Sequence, residues 1–264
     1  MTPTPPKRTL RSIIYDLNTL LDEIPDDIVP SDSLSDQNRR KLKVEILRFV
    51  QELEAFAKIL DPILQPDSVF DPSDPSVIGR LIAKTLLERP KEPLCSLNRF
   101  YGSGVYAIYY NGNFSAYQAI SGGDYPIYVG KVDPKTSGAR SPEEQGDKLW
   151  NRLVKDHASS IEKANNLSLD DFECRFLVVK SAWQNTAENY LIDWFKPVWN
   201  NEIKICRGFG KHGDSSSTRN NTKSPWDTLH PGRKWALDHK DNPKTPTEIR
   251  ELIMNHYETL ISPD

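Results

Sequence analysis

Two short apolar runs with strand character limit what this chain can fold into. Gly104-Val105-Tyr106 opens the first run, and Tyr128-Val129-Gly130 lies in the second with the glycine and tyrosine in reverse order. Aromatic and β-branched residues are typical of strands, and Asn-Gly is typical of a hairpin turn. The pattern predicts a turn at Asn111-Gly112 and strands over 104–110, 114–120 and 126–131. Two tyrosines are therefore expected on neighbouring strands.

The rest of the chain contributes helices and one more strand. Apolar residues at three- and four-residue spacing, caps and prolines predict helices over 9–24, 36–60, 75–87, 147–164, 185–195 and 246–261, and a strand over 172–180. The order from residue 101 is β, β, β, α, β, α, which favours an α+β fold with a small antiparallel sheet flanked by helices. We predict an N-terminal helical region over 1–100, a core over 101–202, and a basic loop region with a C-terminal helix over 203–264. The N-terminal helices are expected to pack on the core or at a subunit interface.

Composition excludes several classes of protein. The chain has 264 residues and only three cysteines, with no Cys-x-x-Cys pair, so neither a disulfide framework nor a zinc site is indicated. No run approaches the roughly 18 apolar residues of a membrane span, and residues 1–6 lack the apolar core of a signal peptide. A soluble cytoplasmic protein without a membrane partner is expected.

Positive charge is concentrated in one part of the sequence. The whole chain has a net charge of −3, but residues 203–240 hold eight Lys and Arg against three Asp. A local cationic patch on a near-neutral body suits a polyanion bound in one cleft. A solvated basic loop is the alternative.

Five polar residues follow the two tyrosines in an order that suits phosphodiester chemistry: Lys131, Arg152, His157, Glu188 and Asn200. Such hydrolysis needs a base for the attacking water, a cation near the phosphate, and help for the leaving oxygen. One tripeptide alone is a weak signal, but the ordered set is a strong one.

This ordered set resembles the GIY-YIG nucleases over residues 101–202. The stretch Ser224-Pro-Trp-Asp-Thr-Leu-His-Pro-Gly-Arg233 and the helical leader extend the resemblance to the Type II restriction endonucleases of that superfamily that cut the palindrome CCGCGG. The resemblance implies hydrolysis of double-stranded DNA to 5′-phosphate and 3′-hydroxyl ends, with Mg²⁺ as cofactor and Mn²⁺ as a substitute. It also implies a homodimer or homotetramer and a cognate DNA methyltransferase.

The resemblance assigns Tyr106 as the general base, with Tyr128 beside it. An unperturbed tyrosine pKa near 10 leaves only about 0.1% phenolate at pH 7, so a neighbour must favour ionisation or relay the proton. Lys131 and His157 are the expected neighbours. Arg152 is expected to stabilise the phosphorane. In the family, the arginine and histidine lie one turn apart; here they are five residues apart, roughly 140° around an α-helix. Either the helix is irregular or one residue is misassigned.

Glu188 and Asn200 each have two interpretations. The resemblance makes Glu188 the ligand of one Mg²⁺, and a carboxylate suits that ion. Alternatively, Asn185-x-x-Glu188 forms a capping box at a helix start. Asn200 is expected to hold a phosphate or position Tyr106, and a turn-forming role is its alternative.

Base and phosphate contacts are predicted in the last third of the chain, because Arg, Lys and Asn pair with base edges in the major groove. The candidates are Lys211, His212, Arg219, Asn220, Asn221, Lys223, Arg233 and Lys234. Competing hypotheses are a nuclease of another fold using Glu202-Ile203-Lys204, a repair or homing endonuclease on the same core, and a non-catalytic DNA-binding protein.

Overall fold

The computed structural model describes residues 9–23, 35–60, 63, 66, 68–180, 182–210 and 222–261. The chain divides into two compact units, residues 1–69 and 70–264. The division therefore precedes the predicted boundary at residue 100. The reason is that the third helix packs its buried Ala83 and Leu86 against core residues of the second unit.

The first unit contains two amphipathic helices, α1 (Leu10–Asp22) and α2 (Asp36–Leu60). Thr9 caps α1 by accepting a hydrogen bond from the Ser12 N–H. Both helices are confirmed, but neither has a buried residue. Apolar side chains of the two helices line a shallow groove of about 380 Å³. This unit thus leaves apolar stripes uncovered.

The second unit is built on a small antiparallel sheet, and the predicted α+β class is confirmed. Within the described residues the strands are β1 (Glu92–Pro93), β2 (Gly104–Tyr110), β3 (Tyr128–Val132) and β4 (Phe172–Val178), in the spatial order β1-β4-β2-β3. Every residue of β2 is buried, as expected for a central strand. β3 lies at the edge, so one side of its backbone faces away from the sheet.

The predicted returning strand over 114–120 is wrong. A short 3₁₀ turn forms at Ser115–Tyr117 instead, and β2 pairs with β3 and β4. The buried Tyr117 hydroxyl accepts a hydrogen bond from Trp199 Nε1 (2.8 Å) and bonds His230 Nε2 (2.6 Å). These long-range contacts satisfy the buried hydroxyl and hold the segment in the core.

Helices cover both faces of the sheet. Their bounds are α3 (Pro75–Leu87), α4 (Pro142–Gln145), α5 (Lys148–Trp150), a π-helical segment (Asn151–Ala158), α6 (Ser159–Glu162), α7 (Gln184–Phe195), α8 (Pro225–Leu229), α9 (Lys234–Leu237) and α10 (Pro246–Ile261), with 3₁₀ turns also at Leu94–Ser96 and Leu169–Asp171. α3 and α7 pack on one face of the sheet. The π segment, α8 and α10 pack on the other.

The C-terminal residues belong to the same core as the sheet. Phe209, Trp226 and Tyr257 lie in one buried cluster with Tyr106 of β2. Residues 203–264 were predicted as a separate loop-rich region, and their described part is integrated into the second unit. No helix among the described residues is long and apolar enough to cross a membrane.

Candidate active site

The two tyrosines lie side by side on one face of the sheet. Tyr106 of β2 is directly opposite Gly130 of β3, and Tyr128 precedes that glycine by two residues. The ring centroids of Tyr106 and Tyr128 are 6.1 Å apart. A β-carbon at position 130 would overlap the Tyr106 phenol. Glycine is therefore required opposite Tyr106, because the ring lies over its backbone.

The five-residue gap between Arg152 and His157 is resolved by the π-helical segment. Its i→i+5 hydrogen bonds bring residues five apart onto one side, which an α-helix would not do. His157 is buried, and its Nε2 lies 2.6 Å from the Tyr106 hydroxyl. The helix is irregular. His157 contacts both tyrosines, and the charge of Arg152 acts on both phenols. π segments occur often at functional sites.

Burial makes both phenols harder to ionise. Desolvation raises the pKa of Tyr106 well above its ordinary value, and raises the pKa of Tyr128 to about 12. The positive charge of Arg152 opposes this rise for both tyrosines. Arg152 is thus a cation that favours the ionisation of both tyrosines. Tyr106 itself is only 1% exposed, and its hydroxyl is hydrogen-bonded to His157 Nε2.

Arg152 already has a carboxylate partner in the free protein. Its Nη1 lies 3.0 Å from Asp156 Oδ2 one turn later, and both side chains are about one-third exposed. An exposed pair of this kind contributes at most about 1 kcal/mol. A phosphate could therefore replace Asp156 on the guanidinium at little cost.

Glu188 lies on α7, on the opposite face of the sheet from the tyrosines. α7 begins after Trp183, whose side chain makes no capping bond, so Asn185 is inside the helix and the predicted capping box does not form. The Lys131 backbone N–H donates to the Glu188 carboxylate. Desolvation nevertheless raises the pKa of Glu188 to about 7, although the Lys131 charge lowers it.

The edge strand β3 brings the two faces together. An open cleft of about 530 Å³ lies at this edge, and its lining includes Lys131 and Asp133 from the strand side, Arg152 from the π segment and Glu188 from α7. Lys131 Nζ lies 2.6 Å from Asp133 Oδ2. Lys131 and Arg152, the two cleft cations predicted to be catalytic, are therefore each paired with a carboxylate before substrate binds.

Asn200 fixes the outer edge of β3. Its Oδ1 accepts a hydrogen bond from the Val129 N–H (2.9 Å), and its Nδ2 donates to the Val129 carbonyl (2.8 Å). Both amide atoms are thus used on the backbone next to Tyr128, and the residue is buried. This geometry favours a positioning role over direct contact with phosphate. The Asn200 amide and the Glu188 carboxylate form hydrogen bonds with backbone groups of β3 that would otherwise be unpaired at the edge of the sheet.

Residues 98–257, well over half of the chain, match the family described as the Eco29kI GIY-YIG domain. This chain belongs to the Eco29kI GIY-YIG family. It therefore carries a restriction-endonuclease domain, a nuclease whose substrate is DNA. No curated protein matches the chain significantly. The resemblance to GIY-YIG nucleases is confirmed, whereas the CCGCGG sequence stays a prediction.

The residues predicted to contact DNA are only partly covered by the structure of this GIY-YIG domain. Lys211, His212, Arg219, Asn220 and Asn221 lie outside the described residues. Lys234 is exposed at the start of α9. Lys223 Nζ lies 2.8 Å from Asp241 Oδ1, so this lysine is paired with a carboxylate.

Arg233 is placed differently from the prediction, because it is buried rather than facing DNA. Its side chain is 2% exposed, and its Nε lies 2.6 Å from Asp227 Oδ1. Its Nη1 and Nη2 donate to the carbonyls of Phe209 (3.0 Å) and Gly208 (2.9 Å). The structure thus places this arginine of the GIY-YIG domain inside the core, where it binds Asp227 and two backbone carbonyls, and does not support a contact with DNA bases.

Phe209 is the site residue that the sequence analysis missed. Its ring stacks on His157 at 4.7 Å with the planes 15° apart, and meets the Tyr128 ring edge-on at 5.1 Å. The signal in the sequence was a lone aromatic between two glycines in a polar stretch. Such a residue is expected to anchor its segment on a core, but not to reveal which side chain it contacts.

Proposed function

We propose that this member of the Eco29kI GIY-YIG family is a Type II restriction endonuclease that cuts a short GC-rich palindrome, CCGCGG, in double-stranded DNA. The products would be 5′-phosphate and 3′-hydroxyl ends. The observation that carries the proposal is the Tyr106–His157 hydrogen bond, together with a cleft at the edge of the same sheet that Arg152 and Glu188 line. These residues offer a proton acceptor, a phosphate-binding cation and a carboxylate.

Water activation would use Tyr106 and His157 together. A free phenolate is disfavoured because burial raises the pKa of Tyr106. The attacking water would instead pass its proton to the Tyr106 oxygen while the phenol proton moves to His157 Nε2. This concerted transfer avoids an isolated phenolate and leaves a transient imidazolium. Tyr128 supports it by flanking both rings.

Arg152 would bind the scissile phosphate after exchanging Asp156 for it. The guanidinium fork suits two phosphate oxygens, and the charge that grows on the phosphorane strengthens the contact. Asp156, which now lies on the guanidinium, would give up this contact when the phosphate binds. Lys131 would hold Glu188 in its charged form, because its positive charge lowers the pKa of that carboxyl.

Glu188 fits a magnesium ligand in chemical terms. It is a hard oxygen donor in an open cleft, and burial, which raises its pKa, leaves its negative charge with room for a cation. Mg²⁺ is commonly bound by one or two carboxylates and keeps several of its waters. Mg²⁺, or Mn²⁺ in its place, would supply Lewis-acid help to the leaving oxygen.

Cutting both strands of a palindrome calls for a two-fold assembly with one site per strand. We propose a homodimer or homotetramer. The uncovered apolar stripes of α1 and α2 support self-association, because exposed apolar surface of this kind commonly marks an interface. A cognate DNA methyltransferase would protect the host sequence.

The test is cleavage of a sequenced plasmid with magnesium, followed by mapping of the ends. Double-strand breaks at one repeated CCGCGG site are expected. Nicks at DNA structures would indicate a repair or homing enzyme, and binding without cleavage would indicate a DNA-binding protein.

Two matched variants identify the nuclease class. Glu188→Gln should abolish cleavage while DNA binding persists, and Glu202→Gln should leave cleavage largely intact. The reverse pair of results would favour a nuclease built on Glu202-Ile203-Lys204 and reject the assignment.

A further inference from the structure

We infer that Phe209 is a positioning residue for the proposed reaction, because it holds the His157 imidazole on Tyr106, and that the buried Arg233–Asp227 pair holds Phe209 in place. The inference rests on the proposed function, since it concerns the residue that receives the phenol proton. It assigns a role to a residue outside the predicted catalytic set, which consists of the two tyrosines and the five polar residues that follow them.

The contact between Phe209 and His157 is well defined. The rings are nearly parallel at 4.7 Å, whereas Tyr106 and Tyr128 meet the imidazole at tilted or edge-on angles. Phe209 is fully buried. The imidazole is therefore confined between one stacked ring and two tyrosine rings, and its Nε2 is left in line with the Tyr106 hydroxyl.

The backbone of Phe209 is fixed by a buried charge pair. The guanidinium of Arg233 donates to two successive carbonyls, those of Gly208 and Phe209, and to the Asp227 carboxylate. Indole rings of Trp226 and Trp235 lie 4.3 and 4.8 Å from the guanidinium carbon. A buried ion pair of this kind rarely gains stability over apolar packing, but it does fix geometry. Here the fixed geometry is that of the segment carrying Phe209.

Stacking also suits the chemistry of proton transfer. An aromatic face attracts a cation, so the Phe209 ring would favour the imidazolium that forms when the phenol proton arrives. The same ring shields the Tyr106–His157 bond from water, which strengthens it. An ordinary core phenylalanine would supply volume only. The two roles are separable by experiment.

The decisive variant is Phe209→Leu, compared with Phe172→Leu in the full-length protein. Phe172 is also fully buried, but its ring packs against Tyr110 and Trp199 rather than against the catalytic pair. Both variants should lower the denaturation midpoint to a similar extent. Only Phe209→Leu should lower kcat, by about 10²-fold, as expected for a misplaced catalytic group. DNA affinity without added magnesium should change less than about threefold.

A second measurement reports the stack directly and needs no catalysis. The ring protons of His157 should be shifted upfield by Phe209 in the proton NMR spectrum of the DNA-free protein, and the shift should vanish in Phe209→Leu. Arg233→Lys keeps the positive charge but cannot form both hydrogen bonds to the carbonyls of Gly208 and Phe209. It should reduce both the upfield shift and kcat. Phe209→Met replaces the leucine variant if that protein does not fold.

The inference is overturned if Phe209→Leu and Phe172→Leu lose the same fraction of kcat, or if the His157 resonances do not move. A protein that shows the NMR shift but cuts no DNA would instead reject the proposed function and leave the stack intact.

Discussion

Replacing Glu188 by glutamine should stabilise the protein at alkaline pH while destroying cleavage. Burial raises the pKa of Glu188 from 4.5 to about 7. A group with a raised folded pKa is accommodated without cost below its unfolded pKa, and it destabilises the fold progressively as pH rises through the folded value. The penalty therefore develops between about pH 4.5 and 7 and is complete at pH 8.

The size of the effect follows from the same two pKa values. At about 1.4 kcal/mol per pKa unit, the full shift corresponds to roughly 3 kcal/mol. Because Glu188 is only partly buried, solvent screening reduces the expected gain of Glu188→Gln to about 1–2 kcal/mol at pH 8. At pH 4.5 and below, the variant and the wild type should be equally stable within error. Glutamine keeps the oxygen that accepts the Lys131 N–H, so packing changes little.

The assay is urea denaturation at pH 4.5 and pH 8, with and without magnesium. At pH 8, magnesium should raise the unfolding free energy of the wild type and leave that of the variant unchanged, because a ligand that binds only the folded state stabilises it. A stability difference that is the same at both pH values would show that Glu188 ionises freely. The reasoning from desolvation would then be refuted, and with it the argument that this carboxylate has room for a cation.

Three further outcomes are expected. Gly130→Ala should cost about 1–3 kcal/mol in a denaturant titration and suppress cleavage, since the new methyl would overlap the Tyr106 phenol; wild-type activity would contradict the required close approach. Asn200→Ala should cost about 1–3 kcal/mol from two lost bonds to Val129, which hydrogen exchange at the outer edge of β3 would localise; unchanged protection would contradict this. Burial lowers the pKa of His230 to about 3 from 6.5, so stability should fall as pH drops through that window, by about 3 kcal/mol at pH 4; a denaturation series in which His230→Gln shows the same slope would contradict this source.

The elements that depend on local patterns were predicted well from the sequence. α2, with its apolar stripe, and α3, opened by the Asp74 cap and Pro75, begin and end where the spacing placed them. The two tyrosine-bearing strands were also placed correctly. Each of these follows from the side chains of one contiguous segment, which is the information that periodicity carries.

The errors came from contacts between distant segments. Tyr117 was read as part of a strand because its neighbours are apolar, but its hydroxyl is held by Trp199 and His230, more than 80 residues away. Arg233 was read as a DNA contact because it lies in a basic run, but its burial depends on Asp227 and on two carbonyls of residues 208–209. A charge count along the chain cannot distinguish a solvated arginine from one paired inside the core.

The π-helical segment could not be predicted for a different reason. The five-residue spacing between Arg152 and His157 was seen in the sequence, and irregularity was one of the two explanations offered. An extra residue in a helix turn leaves no signature in composition or periodicity. The same sequence also fits a regular α-helix in which either Arg152 or His157 faces away from the site. Only the contact of His157 with Tyr106 decides between the two.

The described residues on either side of 211–221 are held by contacts with the core of the domain. On the preceding side, Arg233 holds the carbonyls of Gly208 and Phe209; on the following side, Thr222 bridges to Lys240, and the Lys223 carbonyl accepts from Asn242. Because these contacts hold the flanking residues, the sequence between them can be replaced while the flanking residues are kept. If these eleven residues read the DNA bases, this fold offers a place where sequence preference can diversify while the hydrolytic machinery is inherited unchanged.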